Sequence, residues 1–312
     1  MLPFRRSERR AFLGEGWTPL LEAPEPGLLL KLDFLCPTGS FKDRGSTILM
    51  NCLARLGVRE ALEDSSGNAG ASIAAYGAAA GIACDVYVPA SASGAKLAQI
   101  AAYGARVVAV PGSRQDVTDA ALRRSEARFY ASHNWHPLFL EGTRTLGFEL
   151  WEQLGFSPPD AVVTPVGAGS TLLGCWRAFG ELAAAEPGTA RPRLYAAQSS
   201  ACAPLTEALE RDEQAPSGVE PGTTVAEGIK IGRPIRGREL LEALRRSGGG
   251  AHAVTDAEIL TGQERLGRLG IFVEPTGAVA YAAALSLLAR ASLKPDERVA
   301  VILTGSGLKS AG

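Results

Sequence analysis

The stretch Ala161-Val162-Val163-Thr164-Pro165-Val166-Gly167-Ala168-Gly169-Ser170-Thr171 reads as a buried strand, a glycine-rich turn, and the approach to a helix beginning at Leu172. Strand ends that feed glycine-rich helix starts are the natural anion sites of an α/β protein. Small residues let the backbone come close to an anion, while the first helical amides and the hydroxyls of Ser170 and Thr171 supply donors. Such a turn suits a phosphate. It is not a Walker loop, because no Gly-Lys-[Ser/Thr] follows, and taken alone it reads equally well as a turn that serves close helix packing.

Outward from this turn, strand-like and helix-like segments alternate along most of the chain. Cys84 to Pro89 and Arg106 to Val110 read as strands, with a helix from Lys96 to Tyr103 between them. Gln115 to Phe129 reads as a helix, followed by a short strand, Phe129 to Ser132. A helix to Leu154, strands Ala161 to Val166 and Arg193 to Ala197, a helix Asp256 to Leu269, a helix after Pro275 and a last strand, Arg298 to Leu303, complete the pattern. This βαβα order predicts mostly parallel sheets covered by helices, an α/β fold. Glu186 to Pro192 and Glu213 to Gly222 are surface loops too short to act as free linkers. The alanine-rich run Ala69 to Ala80 reads as a tightly packed helix.

Composition narrows the class. The 312 residues exceed what a single core usually holds, so more than one compact unit is expected. A net charge of -1 carries no nucleic-acid footprint and no attraction to an anionic membrane. The five cysteines are odd in number, widely spaced and without a C-x-x-C pair, which argues against a disulfide framework or a zinc ribbon. Met1 to Arg10 is basic but lacks the apolar run of a signal peptide, and a cytoplasmic enzyme is the default.

The second chemical feature is Pro37-Thr38-Gly39-Ser40-Phe41-Lys42-Asp43-Arg44-Gly45. Ser40 with Asp43 reads as a capping pair, which puts Lys42 in the first turn of a helix at the positive end of its dipole. A positive neighbourhood disfavours an ammonium, as an amine that attacks an aldehyde requires. An ordinary surface lysine is the alternative for this motif in isolation. A third turn, Ser65-Ser66-Gly67-Asn68-Ala69-Gly70, opens the alanine-rich helix, and its amides and hydroxyls suit a carboxylate. A fourth, Leu303-Thr304-Gly305-Ser306-Gly307, ends the last strand and presents the Thr304 hydroxyl at a sheet's carboxyl edge. An activated lysine, a phosphate turn, a carboxylate loop and a neutral hydroxyl together describe a pyridoxal phosphate site.

With these motifs in order, the chain resembles the tryptophan-synthase-β-like (fold type II) pyridoxal phosphate enzymes, and the threonine synthases most closely. The matching stretches are Leu13 to Leu20, Pro37 to Gly45, Ser65 to Ala71, Lys96 to Gln99, Leu140 to Thr143, Pro165 to Ser170, Glu274 to Thr276 and Leu303 to Lys309. The resemblance implies two three-layer α/β/α domains with mostly parallel sheets. It makes Lys42 the Schiff-base lysine and sets Asn68 on the cofactor's phenolic oxygen. Gly167, Ala168, Gly169, Ser170 and Thr171 then hold the phosphate, and Thr304 meets the pyridine nitrogen. Ser65, Ser66, Gly67, Asn68 and Ala69 face the substrate. A hydroxyl on the pyridine nitrogen favours elimination and replacement over transamination. The expected arrangement is a large cofactor-binding domain, residues 1–50 and 146–312, with a smaller mobile domain, 51–145, that closes over an amino-acid substrate. A homodimer without metal is expected.

Three positions depart from the threonine synthase pattern: Phe139 stands where an arginine is frequent, Ala168 where asparagine is, and Ala69 where threonine is. Each removes a polar group that would hold a second phosphate or position water. A serine or threonine dehydratase needs no such site and is the alternative reaction. A non-catalytic protein that binds the cofactor or an amino acid is the alternative of another class, and the presence of Lys42 counts against it. His133 and His136 form no metal pair in this reading; one of them, or Asn134, lines the substrate pocket. Cys36 reads as a small hydrophobe near the lysine loop, Asp43 and Arg44 as capping and surface pairing, and Glu274 as an acid stabilising a helix start.

Overall fold

The computed structural model describes residues 6–8, 11–92, 94–186 and 188–309. In chain order the strands are β1 (Leu20–Glu22), β2 (Leu28–Lys31), β3 (Glu60–Glu63), β4 (Ala83–Pro89), β5 (Arg106–Val110), β6 (Phe129–Tyr130), β7 (Ala161–Pro165), β8 (Arg193–Ser199), β9 (Gly250–Val254) and β10 (Val299–Ile302). The α-helices are α1 (Lys42–Arg55), α2 (Asn68–Ala80), α3 (Gly94–Ala102), α4 (Arg114–Arg124), α5 (Pro137–Thr143), α6 (Thr145–Gln153), α7 (Ser170–Ala185), α8 (Pro204–Glu210), α9 (Gly237–Ser247), α10 (Asp256–Arg268) and α11 (Pro275–Ala289). They form two compact units. One comprises Met1–Glu15, Cys36–Gly142 and Lys309–Gly312; the other comprises Gly16–Leu35 and Thr143–Leu308.

The first unit is built on a four-stranded parallel sheet in the order β5-β4-β3-β6. Leu62, Val86 and Val88 are fully buried, so these strands are apolar on both sides, as a parallel sheet covered by helices requires. Helix α2 is buried along nearly its whole length; its alanines let it lie close to the sheet and to α1. Helix α4 starts with a capping box between Ser113 and Asp116. It ends at Arg124, short of the expected Phe129, and the Ser125 hydroxyl donates back to the Leu122 carbonyl at 2.6 Å.

The second unit carries a six-stranded sheet, β1-β2-β10-β7-β8-β9, parallel except for the antiparallel edge strand β1. Val162, Val163, Ala300 and Val301 at its centre are fully buried. Helix α11 is apolar nearly all round and lies against β7 and β8, a core helix rather than a surface one. The buried Lys31 ammonium at the end of β2 donates to the Thr18 carbonyl (2.6 Å), Glu149 Oε1 (2.5 Å) and Gln153 Oε1 (2.7 Å). All three of its donors are used, which is what makes a fully buried ammonium tolerable.

The boundary between the units runs differently from the expected one. Residues 36–50 group with the first unit, because α1 packs along α2. Gly16–Leu35 joins the second, because β1 and β2 extend its sheet. No described helix is long and apolar enough to cross a membrane.

Candidate active site

The sequence-predicted residues fall in both units, Lys42 and Asn68 in the first, Gly167 to Thr171 and Thr304 in the second. In the first unit Lys42 is the first residue of α1, but the expected Ser40–Asp43 capping pair is absent. The residue before the helix is Phe41, and no side chain caps α1. Asp43 instead faces its own loop and α2. Its carboxylate accepts from the Thr38 N–H (2.7 Å), the Thr38 hydroxyl (2.6 Å) and the Ser72 hydroxyl (2.6 Å). Burial pushes the Asp43 carboxyl above its ordinary value, while the bonds from Ser72 and Thr38 act the other way. Lys309 Nζ (2.8 Å) and Gln99 Nε2 (2.9 Å) hold the Thr38 carbonyl, so the loop that delivers Lys42 is fixed from three sides. Asp43 and Arg44 are therefore buried structural residues, not surface partners. Ser40 Oγ is buried with no hydrogen-bond partner among the described residues.

Lys42 Nζ lies 4.8 Å from the Phe41 ring centroid and 5.9 Å from that of Phe139. Phe139 is fully buried in the apolar core with Leu49, Met50 and Leu53. Asn68 opens α2 after Gly67, and no side chain caps that helix either, so Ser65 and Ser66 are not its caps. The Gly67 N–H is 3.3 Å from the Ser65 hydroxyl. Residues 65–68 are half-buried and Ala69 is buried.

A pair that sequence reasoning missed lies beside these elements. Glu63, the last residue of β3, is fully buried, and its Oε1 is 2.7 Å from His133 Nδ1. Burial drives the Glu63 carboxyl well up, and the neighbouring Asp64 charge adds to this. Burial likewise drives the His133 imidazole well down, helped by Lys42 and Arg114. Burial thus pushes both groups toward their neutral forms. Glu63 Oε2 has no partner among the described residues. The alternation of β3 marks Glu63 only as a strand-end residue; a sequence signal existed in the Glu63-Asp64 step immediately before the Ser65 turn. His136 packs its ring on Phe129 and accepts from the Leu138 N–H. Among the described residues no group of three or more His, Cys, Asp or Glu is placed to hold a metal.

In the second unit the turn 166–170 leaves β7 and enters α7, which begins at Ser170, two residues before the expected start. Gly169 sits at φ +81°, and a Cβ there would meet Leu240 Cδ2 at 2.3 Å; one at Gly167 would meet the Ile229 backbone at 2.8 Å. Both positions thus need glycine for the turn's own fit. The Thr171 hydroxyl is paired with that of Thr164 at 2.8 Å, and Ser170 carries the other hydroxyl of this turn. The Thr143 hydroxyl donates to the Ser170 carbonyl (2.8 Å) and ties down the first turn of α7.

Strands β7 and β10 are parallel neighbours, with Val299 opposite Ala161 and Val301 opposite Val163. Thr304 follows β10 and so lies at the same carboxyl edge as the glycine turn. It is 3% exposed, and its Oγ1 has no hydrogen-bond partner among the described residues. A buried hydroxyl without a partner costs roughly 1–3 kcal/mol.

The family model described as "Pyridoxal-phosphate dependent enzyme" matches residues 11–305. The chain is 36% identical to the threonine synthase of Methanocaldococcus jannaschii over 318 residues, 99% of this chain and 78% of that protein. It is also 36% identical to the threonine synthase of Methanosarcina acetivorans, over 99% of this chain and 78% of that one. Among solved structures, a threonine deaminase from T.th. superposes with a TM-score of 0.79 at 30% identity, covering 93% of this chain and 92% of that one. A maize serine racemase shares the fold, with a TM-score of 0.79 at 22% identity and coverage of 93% and 88%.

Proposed function

The chain belongs to the pyridoxal-phosphate dependent enzyme family and is threonine synthase-like, and from that premise we propose that it eliminates or replaces a side-chain group of an amino acid, with Lys42 holding the cofactor. The observation that carries this reading is the buried, unpartnered Thr304 hydroxyl at the carboxyl edge shared with the Gly167–Thr171 turn. A hydroxyl gives the cofactor's ring nitrogen one neutral hydrogen bond and no strong proton source. That favours elimination and replacement over transamination.

The residues present fit pyridoxal phosphate. The turn of Gly167, Ala168 and Gly169 leads into the first-turn amides of α7, and with the Ser170 and Thr171 hydroxyls these would hold the phosphate. Thr304 would meet the ring nitrogen and Asn68 the phenolic oxygen. When bound, the cofactor draws electron density from the α-carbon of an attached amino acid. The Lys42 amine, held at the start of α1, then takes the proton from Cα. The amides and hydroxyls of Ser65, Ser66, Gly67, Asn68 and Ala69 would orient the substrate carboxylate, so that the Cα–H bond faces the lysine.

A second reading, serine or threonine dehydration, is favoured by Phe139. Its ring is fully buried in the apolar core and supplies no charge for a substrate phosphate. Arg144, a candidate replacement for that charge, is paired with Glu181 at 2.9 Å. The deciding experiment is incubation of the cofactor-loaded protein with phosphohomoserine, threonine and serine, with products identified by mass. Threonine from phosphohomoserine supports the synthase reading, 2-keto acids from serine or threonine the dehydratase, and no turnover with bound cofactor a binding protein. A cytoplasmic homodimer belongs to the same reading; light scattering tests the dimer.

A further inference from the structure

The buried pair Glu63–His133 is unused by the roles above. A fully buried carboxyl with one oxygen unbonded is costly unless a partner arrives during function. The Glu63 Oε1 is taken: His133 Nδ1 lies 2.7 Å away, and the His133 backbone N–H is a further donor to this carboxyl. With an N–H on Nδ1, Oε1 accepts, and Oε2 is the carboxyl oxygen that has no partner and can carry a proton. Glu63 is the last residue of β3, at the carboxyl edge of a parallel sheet, two residues before the turn proposed to hold the substrate. Lys42 is near enough to act electrostatically on both members of the pair. This is an oriented acid in the same unit as the base.

We propose that Glu63, oriented by His133, is the acid that delivers a proton to the departing hydroxyl of a β-hydroxy amino acid. The inference rests on the reading of Lys42 as the base, and it names the substrate class within that reading. A phosphate leaves as a stable anion without help, whereas hydroxide does not leave unless it is protonated. In the step, the electron pair of the Cα–H bond forms a Cα=Cβ double bond as the Cβ–O bond breaks with its own pair going to oxygen. The Glu63 proton joins that oxygen to form water, and the Cα proton goes to Lys42 Nζ. Passing one proton from Lys42 to the Glu63 carboxylate resets both groups, so no other reactant is needed. The titratable groups around Glu63 are Lys42 on α1, Asp64 beside it, Arg114 on α4, Cys84 on β4, Tyr130 on β6 and His133.

The test compares serine with β-chloroalanine, whose chloride departs without a proton, on the cofactor-loaded enzyme and on Glu63→Gln. The ratio of kcat for serine to kcat for β-chloroalanine is expected to fall about 10²- to 10⁴-fold in the variant, the range of a general-acid contribution. The wild-type ratio is also expected to fall as rising pH ionises Glu63, and the variant's ratio to stay flat with pH. Cofactor absorbance and thermal melting confirm that the variant is loaded and folded. If it does not fold, Glu63→Asp is used, with a fall of about tenfold expected for a shortened acid. A ratio within threefold of wild type overturns the proposal. So does rapid use of phosphohomoserine with no turnover of any β-hydroxy amino acid, which leaves the role of Lys42 standing. A wild-type protein that takes up no cofactor overturns both, and it declares itself before any substrate is added.

Discussion

Phe139 lies so close to Gly45 that a Cβ at position 45 would stand 2.5 Å from three atoms of its ring. Glycine inside a helix costs roughly 1 kcal/mol relative to alanine, and α1 carries that cost to bring its first turn against α5. The same ring lies 5.9 Å from Lys42 Nζ and meets His133 edge-on at 5.9 Å. One apolar side chain thus sets how closely α1 approaches α5 and flanks both Lys42 and His133.

Gly45→Ala is therefore expected to destabilise the protein, although alanine is the better helix former. Overpacking of about 1–3 kcal/mol outweighs the propensity gain. Adding Phe139→Leu should recover part of the loss, because the two residues are in contact and their effects do not add. Urea unfolding of the two single variants and the double variant measures this coupling; strict additivity would contradict the contact.

Lys42 is expected to carry the cofactor covalently. Protein loaded with pyridoxal phosphate should show an absorbance band that borohydride abolishes, with the reduced adduct mapping to Lys42 by peptide mass. Lys42→Ala should show no such adduct. Label on another lysine would reassign the site.

Thr304→Val should act with opposite signs on the empty and loaded protein. Without cofactor, the change removes a buried unpartnered hydroxyl and is expected to leave the melting temperature equal or higher. Cofactor affinity should weaken by up to about tenfold, the equivalent of one neutral hydrogen bond of roughly 0.5–1.5 kcal/mol. Equilibrium titration followed by absorbance reads the second effect. Unchanged affinity would remove Thr304 from the site. Gly169→Val is a poor probe of the phosphate turn by comparison, because Leu240 and the positive φ make it disruptive before any ligand binds.

Glu63→Gln should become relatively more stable as pH rises. Burial holds the Glu63 carboxyl well above its ordinary value of 4.5. Between that value and the raised one, the native protein keeps a proton that the unfolded chain has lost. Stability falls with rising pH across this window. Glutamine does not titrate, so the melting temperature of the variant minus that of wild type should be larger at pH 8 than at pH 5. A difference that shrinks with pH would mean that Glu63 is ionised in the fold.

The α/β class was legible because alternating apolar strands and helices admit few other arrangements, and the strands from Cys84 to Val110 and from Ala161 to Ala197 were read close to their final bounds. Short strands such as β1, β2, β3 and β9 were not read, because three to five residues carry too little period to separate a strand from a loop. The glycine turns were legible because glycine and small residues leave a chemical signature wherever the backbone must bend sharply. What holds each turn was not. Asp43 was read as a cap for Ser40, yet it binds Thr38 and Ser72. Thr171 was read as a donor of the glycine turn, and only the fold shows that its hydroxyl meets that of Thr164.

By itself, then, the sequence determined the parallel α/β architecture, the lysine at a helix start and the two glycine-rich turns, since each of these is written in local spacing and residue type. Only the tertiary structure decided that residues 36–50 join the first unit, that Phe139 is core, and that Glu63 and His133 meet across seventy positions of chain. The physical reason is that burial and partnership depend on which distant segments the sheet brings together. A carboxyl's charge, a hydroxyl's freedom and a ring's role follow from those neighbours and not from the residue's own place in the chain.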